Sequence, residues 1–168
     1  MAARAAASPV DTYAGLGSTL GDRAAELDRA FDELAALPST TLVARSSCYR
    51  SAPVAATGGD YLNAVARLRT TLAPVELLHA LQAIELAHGR ERPFANAPRT
   101  LDLDLLLHGD AVLATEDLTL PHPRLHERAF VIEPLAEVAP GHLVVPRRGP
   151  LAALRAAVAE QRVVKLDR

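Results

Sequence analysis

TTLVARSSCYRSAPVAATGGDYLNAVARLRTT, residues 40–71, is the stretch that decides the fold. Thr40 to Ser51 is rich in strand-forming residues and alternates in polarity. Pro53, Gly58 and Gly59 break the middle. From Tyr61 the alternation resumes. Leu62, Ala64, Ala66 and Leu68 fall on one face, and Tyr61, Asn63, Val65, Arg67 and Arg69 on the other. No helix fits between the two strands, so they pair antiparallel.

Working outward, Tyr13 to Leu16 reads as a first strand, followed by the glycine-rich GLGSTLGD. A helix then runs from Gly21 or Asp22 to about Leu37, with Leu27, Ala30, Phe31, Leu34 and Leu37 at helical spacing. On the other side, Pro74 suits the first turn of a second helix over Ala73 to His88, and Gly89 ends it. Leu77, Leu78, Leu81 and Ile84 form its buried stripe. RTLDLDLLLHGD, Arg99 to Asp110, is the next strand. The order β-α-β-β-α-β predicts an α+β fold on the ferredoxin-like plan, an antiparallel sheet with helices on one face. The remainder is expected as C-terminal additions: a short strand at Ala111–Leu113, extended LTLPHP, a helix around His126–Val138 that Pro134 breaks or kinks, a surface helix over Leu151–Ala159 and an extended end at Val163–Leu166. Residues 1–10 are expected as a flexible tail and 11–168 as a single domain.

At 168 residues the chain is long enough to bury a core without covalent staples. A net charge of −2 provides no global field for nucleic acid or membrane, so anion binding must come from local clusters. The single Cys48 rules out an internal disulfide framework and reads as a small core residue. No apolar run approaches the ~18 residues of a membrane span, and MAARAAASP lacks the apolar core of a secretory signal. A cytoplasmic location is expected.

The chemistry concentrates in the LDLDL run. Asp102 and Asp104 share a strand face, roughly 6.6–7 Å apart, while Leu101, Leu103 and Leu105 face the core. Two such carboxylates repel by roughly 2 kcal/mol at an effective dielectric near 20. A hard dication reverses that sign, and Mg²⁺ suits a site with two carboxylates and phosphate oxygens. The plain alternative is a solvated strand face. Just upstream, Arg90, Arg92 and Arg99 cluster in a Pro- and Gly-containing loop, and guanidinium forks suit phosphate oxygens. Acids for metal beside arginines for phosphate are the components of phosphoryl transfer. His122 and Arg128 could close the far side of a triphosphate; taken singly, each reads as structural or solvated. Tyr61 and Asn63 share a face that would suit a planar ring rich in donors and acceptors, with Phe130 as a further aromatic. The alternative puts Tyr61 and Phe130 in the core and Asn63 at a strand edge. GLGSTLGD is neither GxxxxGK[ST] nor GxGxxG, so it is no P-loop or dinucleotide fingerprint.

APRTLDLDLLLHGD resembles the signature of the 6-hydroxymethyl-7,8-dihydropterin pyrophosphokinase family of folate biosynthesis. The likeness extends through GLGSTLGD, SSCYRSAPV, DYLNAV, QAIELAHGRER and LPHPRLHERAFVIEPLAEVAP, about Tyr13 to Pro140. It implies transfer of the β,γ-pyrophosphoryl group of ATP to a pterin hydroxymethyl oxygen, leaving AMP. Asp102 and Asp104 would hold two Mg²⁺ ions. Arg90, Arg92, Arg99, His122 and Arg128 would contact ATP phosphates, with Arg90 and Arg92 counted among the catalytic groups. Leu78, Gln82, Glu85 and Leu105 would border the nucleotide. Asn63 and the backbone near Ser51, Pro53 and Val54 would bind the pterin edge, and Tyr61 and Phe130 would cover its ring. The chain departs from the family pattern at Thr19, where Asn is common, at Phe94, where Trp is usual, and at Asp117 and Pro123. The expected partners are small molecules alone, with no nucleic acid, no membrane and a monomeric chain. An idle binding module of the same fold and a DxD nucleotidyltransferase are the competing readings. The intact acids and arginines speak against the first, and the wide gap between Ser18 and Asp102 against the second.

Overall fold

A computed structural model of the chain describes residues 8–18, 23–51, 61–89 and 101–166. Its centre is an antiparallel sheet in a mixed α/β fold. β1 (Val10–Ser18) lies in the middle. It pairs with β4 (Tyr61–Thr70) on one side and β5 (Asp102–His108) on the other. β2 (Thr40–Arg45) and β3 (Tyr49–Ser51) both pair with β4, and β10 (Val163–Lys165) adds to β3 at the far edge. The antiparallel hairpin expected from residues 40–71 is therefore present.

The expected single strand over Thr40–Ser51 is two strands. The break at residues 46–48 is filled by Ser46, whose Oγ accepts the Val65 N–H at 2.8 Å while its own N–H donates to the Val65 carbonyl at 2.9 Å. A side chain thus replaces one backbone acceptor of the ladder. β1 also runs further than expected. Gly17, like Gly15 within the expected strand, is paired on both sides and is not part of a turn.

α1 (Arg23–Ala35) and α2 (Pro74–His88) cover one face of the sheet. Pro74 opens α2, and the Glu76 carboxylate accepts the Ala73 N–H at 2.8 Å. Phe31, Leu34, Leu77 and Leu81 pack there against Ala14, Leu16, Leu62, Leu68, Leu103 and Leu105. Each leucine so buried contributes about 1.5–3 kcal/mol. Cys48 is buried in the same cluster, as expected.

The opposite face is not left to solvent. The ribbon of β6 (Leu113–Ala114) and β7 (Thr119–Leu120), beside β5, adds Leu113, Leu118 and Leu120 to the α1/α2 cluster, so other elements cover this face. A single 3₁₀ turn at Leu125–Glu127 leads to α3 (Ala129–Val138). The hairpin of β8 (Val144–Val145) and β9 (Gly149–Pro150) then feeds α4 (Leu151–Ala157). Ile132, Leu135 and Leu151 pack with Tyr13, Val65, Leu106 and Leu107 in a second apolar cluster. Helices on one face only is therefore corrected to helices on both. α3 also continues through Pro134, which only removes the donor for the Phe130 carbonyl.

A bulge in β5 links these layers. Ala14 pairs with Leu105 and Tyr13 with Leu107, so Leu106 is the extra residue. The strand before it alternates, and after it both Leu106 and Leu107 serve the α3 face.

Candidate active site

The register of β1 decides what lies beside the two carboxylates. Asp102 sits across from Gly17, and Gly17 across from Asn63. Asp104 sits across from Gly15, and Gly15 across from Val65. These two rows share the α3 face, because i and i+2 on a strand point the same way. The glycines leave a trough between the acids and Asn63. Arg128, Phe130 and Val131, at the start of α3, and Tyr61, from β4, complete a cleft of about 200 Å³. A methyl on Gly17 would stand 3.4 Å from Asn63 Oδ1, and one on Gly15 3.5 Å from Leu106.

Of the residues singled out from sequence, Asp102, Asp104, Tyr61, Asn63, Arg128 and Phe130 meet at this cleft. Tyr61 and Phe130 are half-buried and line it, so they are not core residues. Asn63 is buried in a strand paired on both sides, not at an edge. Its Nδ2 donates to Ser51 Oγ at 2.9 Å. That bond is the part Ser51 plays here, and it leaves the Asn63 Oδ1 without a partner among the described residues.

His122 reaches the same face by way of the bulge, where its N–H donates to the Leu106 carbonyl at 2.9 Å. The Arg124 N–H donates to His122 Nδ1 at 3.2 Å, which places the proton of the neutral ring on Nε2. Burial pushes the imidazole below its ordinary value; Asp104 opposes this, and the Arg128 and Arg124 charges reinforce it. Arg128 also lies 5.5 Å from the centre of the Phe130 ring, within cation–π range.

Leu78, Gln82 and Glu85 belong to a different place. They share one side of α2, at i, i+4 and i+7, and Glu85 meets the outer edge of β5, where its Oε2 accepts the Leu103 N–H at 2.7 Å. The Leu105 side chain is buried in the apolar core, so only its backbone can face a ligand at that edge. Arg90, Arg92, Arg99, Pro53 and Val54 lie outside the described residues, as do Thr19 and Phe94.

Sequence reasoning missed Gly15 and Gly17 as the cleft floor. The signal was available in their i, i+2 spacing, which matches that of the acids they face. It also missed Arg124 as the residue whose amide sets the His122 tautomer. A larger groove, about 630 Å³, lies between α3 and α4 and contains no acid pair.

One antiparallel sheet with helices on both faces and an acidic cleft on one of them defines the class as a mixed α/β protein. Solved chains with this fold include an HPPK-DHPS in complex with substrates (TM-score 0.70, 9% identity, 91% of this chain) and a Plasmodium falciparum HPPK-DHPS (TM-score 0.70, 11% identity, 90% of this chain). This chain spans only 44% and 46% of those two chains. Residues 13–140 match the family 7,8-dihydro-6-hydroxymethylpterin-pyrophosphokinase (HPPK). The Haemophilus influenzae 2-amino-4-hydroxy-6-hydroxymethyldihydropteridine pyrophosphokinase is 40% identical over 94% of this chain and 99% of its own length. The Pseudomonas aeruginosa protein of the same name is 47% identical over 76% of this chain and 80% of its own. The chain belongs to the HPPK family.

Proposed function

We propose that this chain transfers the β,γ-pyrophosphoryl group of ATP to the hydroxymethyl oxygen of 6-hydroxymethyl-7,8-dihydropterin, giving AMP and the pterin diphosphate for folate biosynthesis. One observation carries the reading. Asp102 and Asp104 stand along one side of a glycine-floored cleft whose other side is Asn63 and whose covers are Tyr61, Phe130 and Arg128. In this reading a flat ring lies between the aromatics, and a polyphosphate lies between the acids and Arg128.

The donor set suits Mg²⁺. Among the described residues no group of three His, Cys, Asp or Glu side chains gathers around a metal position. Two carboxylates with a shell completed by water and phosphate is the Mg²⁺ pattern. Two ions at Asp102 and Asp104 would neutralise phosphate charge and acidify the attacking hydroxyl.

The chain's own groups position and balance charge, which is most of what phosphoryl transfer asks of a protein. The Asn63 Oδ1 accepts an N–H from the ring edge, with the backbone of Ser51, Pro53 and Val54 beside it. Tyr61 and Phe130 exclude water from the two ring faces. Arg128 and the Nε2–H of His122 donate to phosphate oxygens, joined by Arg90, Arg92 and Arg99. Leu78, Gln82, Glu85 and the edge of β5 at Leu105 border the nucleotide. The sheet order β5-β1-β4 with β2 and β3 outside β4 supports the ferredoxin-like plan for residues 11–168 as one domain. Among the described residues no helix is long and apolar enough to cross a membrane. We take the protein to be a cytoplasmic monomer acting on small molecules.

The test is product identity. Incubated with ATP, Mg²⁺ and the hydroxymethyl dihydropterin, the protein is expected to release AMP and a pterin diphosphate in equal amounts. ADP, free pyrophosphate or unchanged ATP would sink the proposal.

A further inference from the structure

Arg128 is an odd residue for its position. It is the N-cap of α3, with extended backbone (φ −123°, ψ 110°), and its side chain makes no capping hydrogen bond. Asp, Asn, Ser or Thr usually stands there, because the first helical amides need an acceptor. The Arg128 guanidinium is instead committed to the cleft and the Phe130 ring. Another group must then hold the peptide.

That group is Gln161. Its Oε1 accepts the Ala129 N–H at 2.9 Å, and its Nε2 donates to the Glu127 carbonyl at 2.8 Å. One side-chain amide therefore grips the backbone on both sides of Arg128, as a strand neighbour would. Gln161 is itself placed twice. Its N–H donates to the Val158 carbonyl at the end of α4, and two residues later β10 pairs with β3, the strand that carries Ser51. It also lies beyond residue 140, where the match to the family ends.

We propose that Gln161 is a positioning residue: its amide brackets the Arg128 peptide and holds the guanidinium in the cleft for the polyphosphate. The inference rests on the reading of Arg128 as a phosphate contact. It gives the C-terminal segment, α4 and β10, a role at the site, as the frame for Gln161, a surface residue whose amide is nonetheless bonded at both ends.

The test is a double-mutant cycle. Binding of a Mg²⁺-loaded, unreactive ATP analogue is measured by calorimetry for the wild-type protein, Gln161→Ala, Arg128→Ala and the double variant. Gln161→Ala is expected to weaken binding about fivefold, the scale of one hydrogen bond. In the Arg128→Ala background the same change is expected to do nothing. KM for ATP should rise with the binding constant, and exchange of the Ala129 amide should quicken in Gln161→Ala, with any fall in melting temperature the same in both Arg128 backgrounds. Gln161→Glu, which keeps the acceptor for the Ala129 N–H, should retain that amide's protection. Unchanged binding in Gln161→Ala, or an equal loss in both backgrounds, would overturn the assignment. A wild-type protein that binds no analogue and forms no AMP would instead show that the functional reading itself had failed, and the assignment with it.

Discussion

On the α1/α2 face, strands β1, β4 and β5 present Leu16, Leu62, Ala64, Leu103 and Leu105, none more than 7% exposed. One residue away on the same strands, the α3 face presents Gly17, Asn63, Asp102 and Asp104. The backbone is shared and the chemistry is opposite. The leucine face supplies burial energy and fixes the register, since a slip of one residue would turn every leucine outward. With register settled by that face, the other is free to set two like charges side by side. The buried core and the candidate site are thus divided by parity along the strand, and single substitutions should separate stability from activity.

The largest separation is expected at Asp104. Asp104→Ala should lower AMP formation about 10³-fold, equivalent to about 4 kcal/mol. Its melting temperature should be unchanged or raised, because the variant relieves repulsion with Asp102. Loss of a cooperative melt would break the division by parity. The neighbouring Leu103→Ala is the mirror case. Its side chain is 5% exposed among leucines of the α1/α2 core, so it should lose about 3 kcal/mol in denaturant unfolding. The folded fraction should keep its turnover. A selective loss of activity in that variant would mean that the two faces are coupled.

The parity itself was legible in the sequence. Alternation in LDLDL and in LNAVARL is enough to sort side chains to faces, and the structure sorts them so. Three features were hidden, each for a physical reason. The bulge at Leu106 falls inside Leu105-Leu106-Leu107, where every residue is apolar and no change of phase can show. The break at residues 46–48 depends on one serine hydroxyl standing in for a backbone acceptor, which alternation does not report. The strand read as ending at Leu16, before Gly17, because glycine is a poor strand former. Gly15 and Gly17 are kept in the strand by pairing on both sides, and their lack of side chains opens the trough. The cleft's acids and its Tyr61, Asn63 and Phe130 could thus be named from sequence, whereas its floor and the Gln161 bracket needed the fold.

Gly17→Ala probes that floor. The added methyl would meet Asn63 Oδ1 at 3.4 Å and the Leu62 carbonyl at 3.9 Å. That is van der Waals contact, which the strand accommodates, but the methyl takes up space beside the amide oxygen. KM for the pterin should rise about tenfold, some 1.4 kcal/mol, with KM for ATP unchanged. A rise in both constants would place Gly17 under the nucleotide instead.

The smallest effect concerns how α3 is held over the cleft face. Glu137 Oε1 accepts the Ser47 N–H at 2.9 Å and its hydroxyl at 2.8 Å, and Oε2 accepts the Tyr49 hydroxyl at 2.7 Å. Lys165 Nζ lies 3.9 Å away. Burial alone would raise this carboxyl, but the Tyr49 and Ser47 hydrogen bonds and the Lys165 charge hold it below its ordinary value. Burial, and after it the same contact, push the Tyr49 phenol up. A carboxyl depressed by folding stabilises the native state above its unfolded pKa, and that contribution is lost as pH falls through the folded one. Glu137→Gln should therefore cost ~1 kcal/mol at pH 7. The gap to the wild-type protein should narrow as pH falls through and below the ordinary carboxylate range, where the wild-type carboxyl takes up its proton. Urea melts of both proteins at neutral and acid pH measure this directly. A gap independent of pH would mean that Glu137 acts through its shape and not its charge. It would also leave the α3 face, like the leucine face, held without help from ionised groups at this contact.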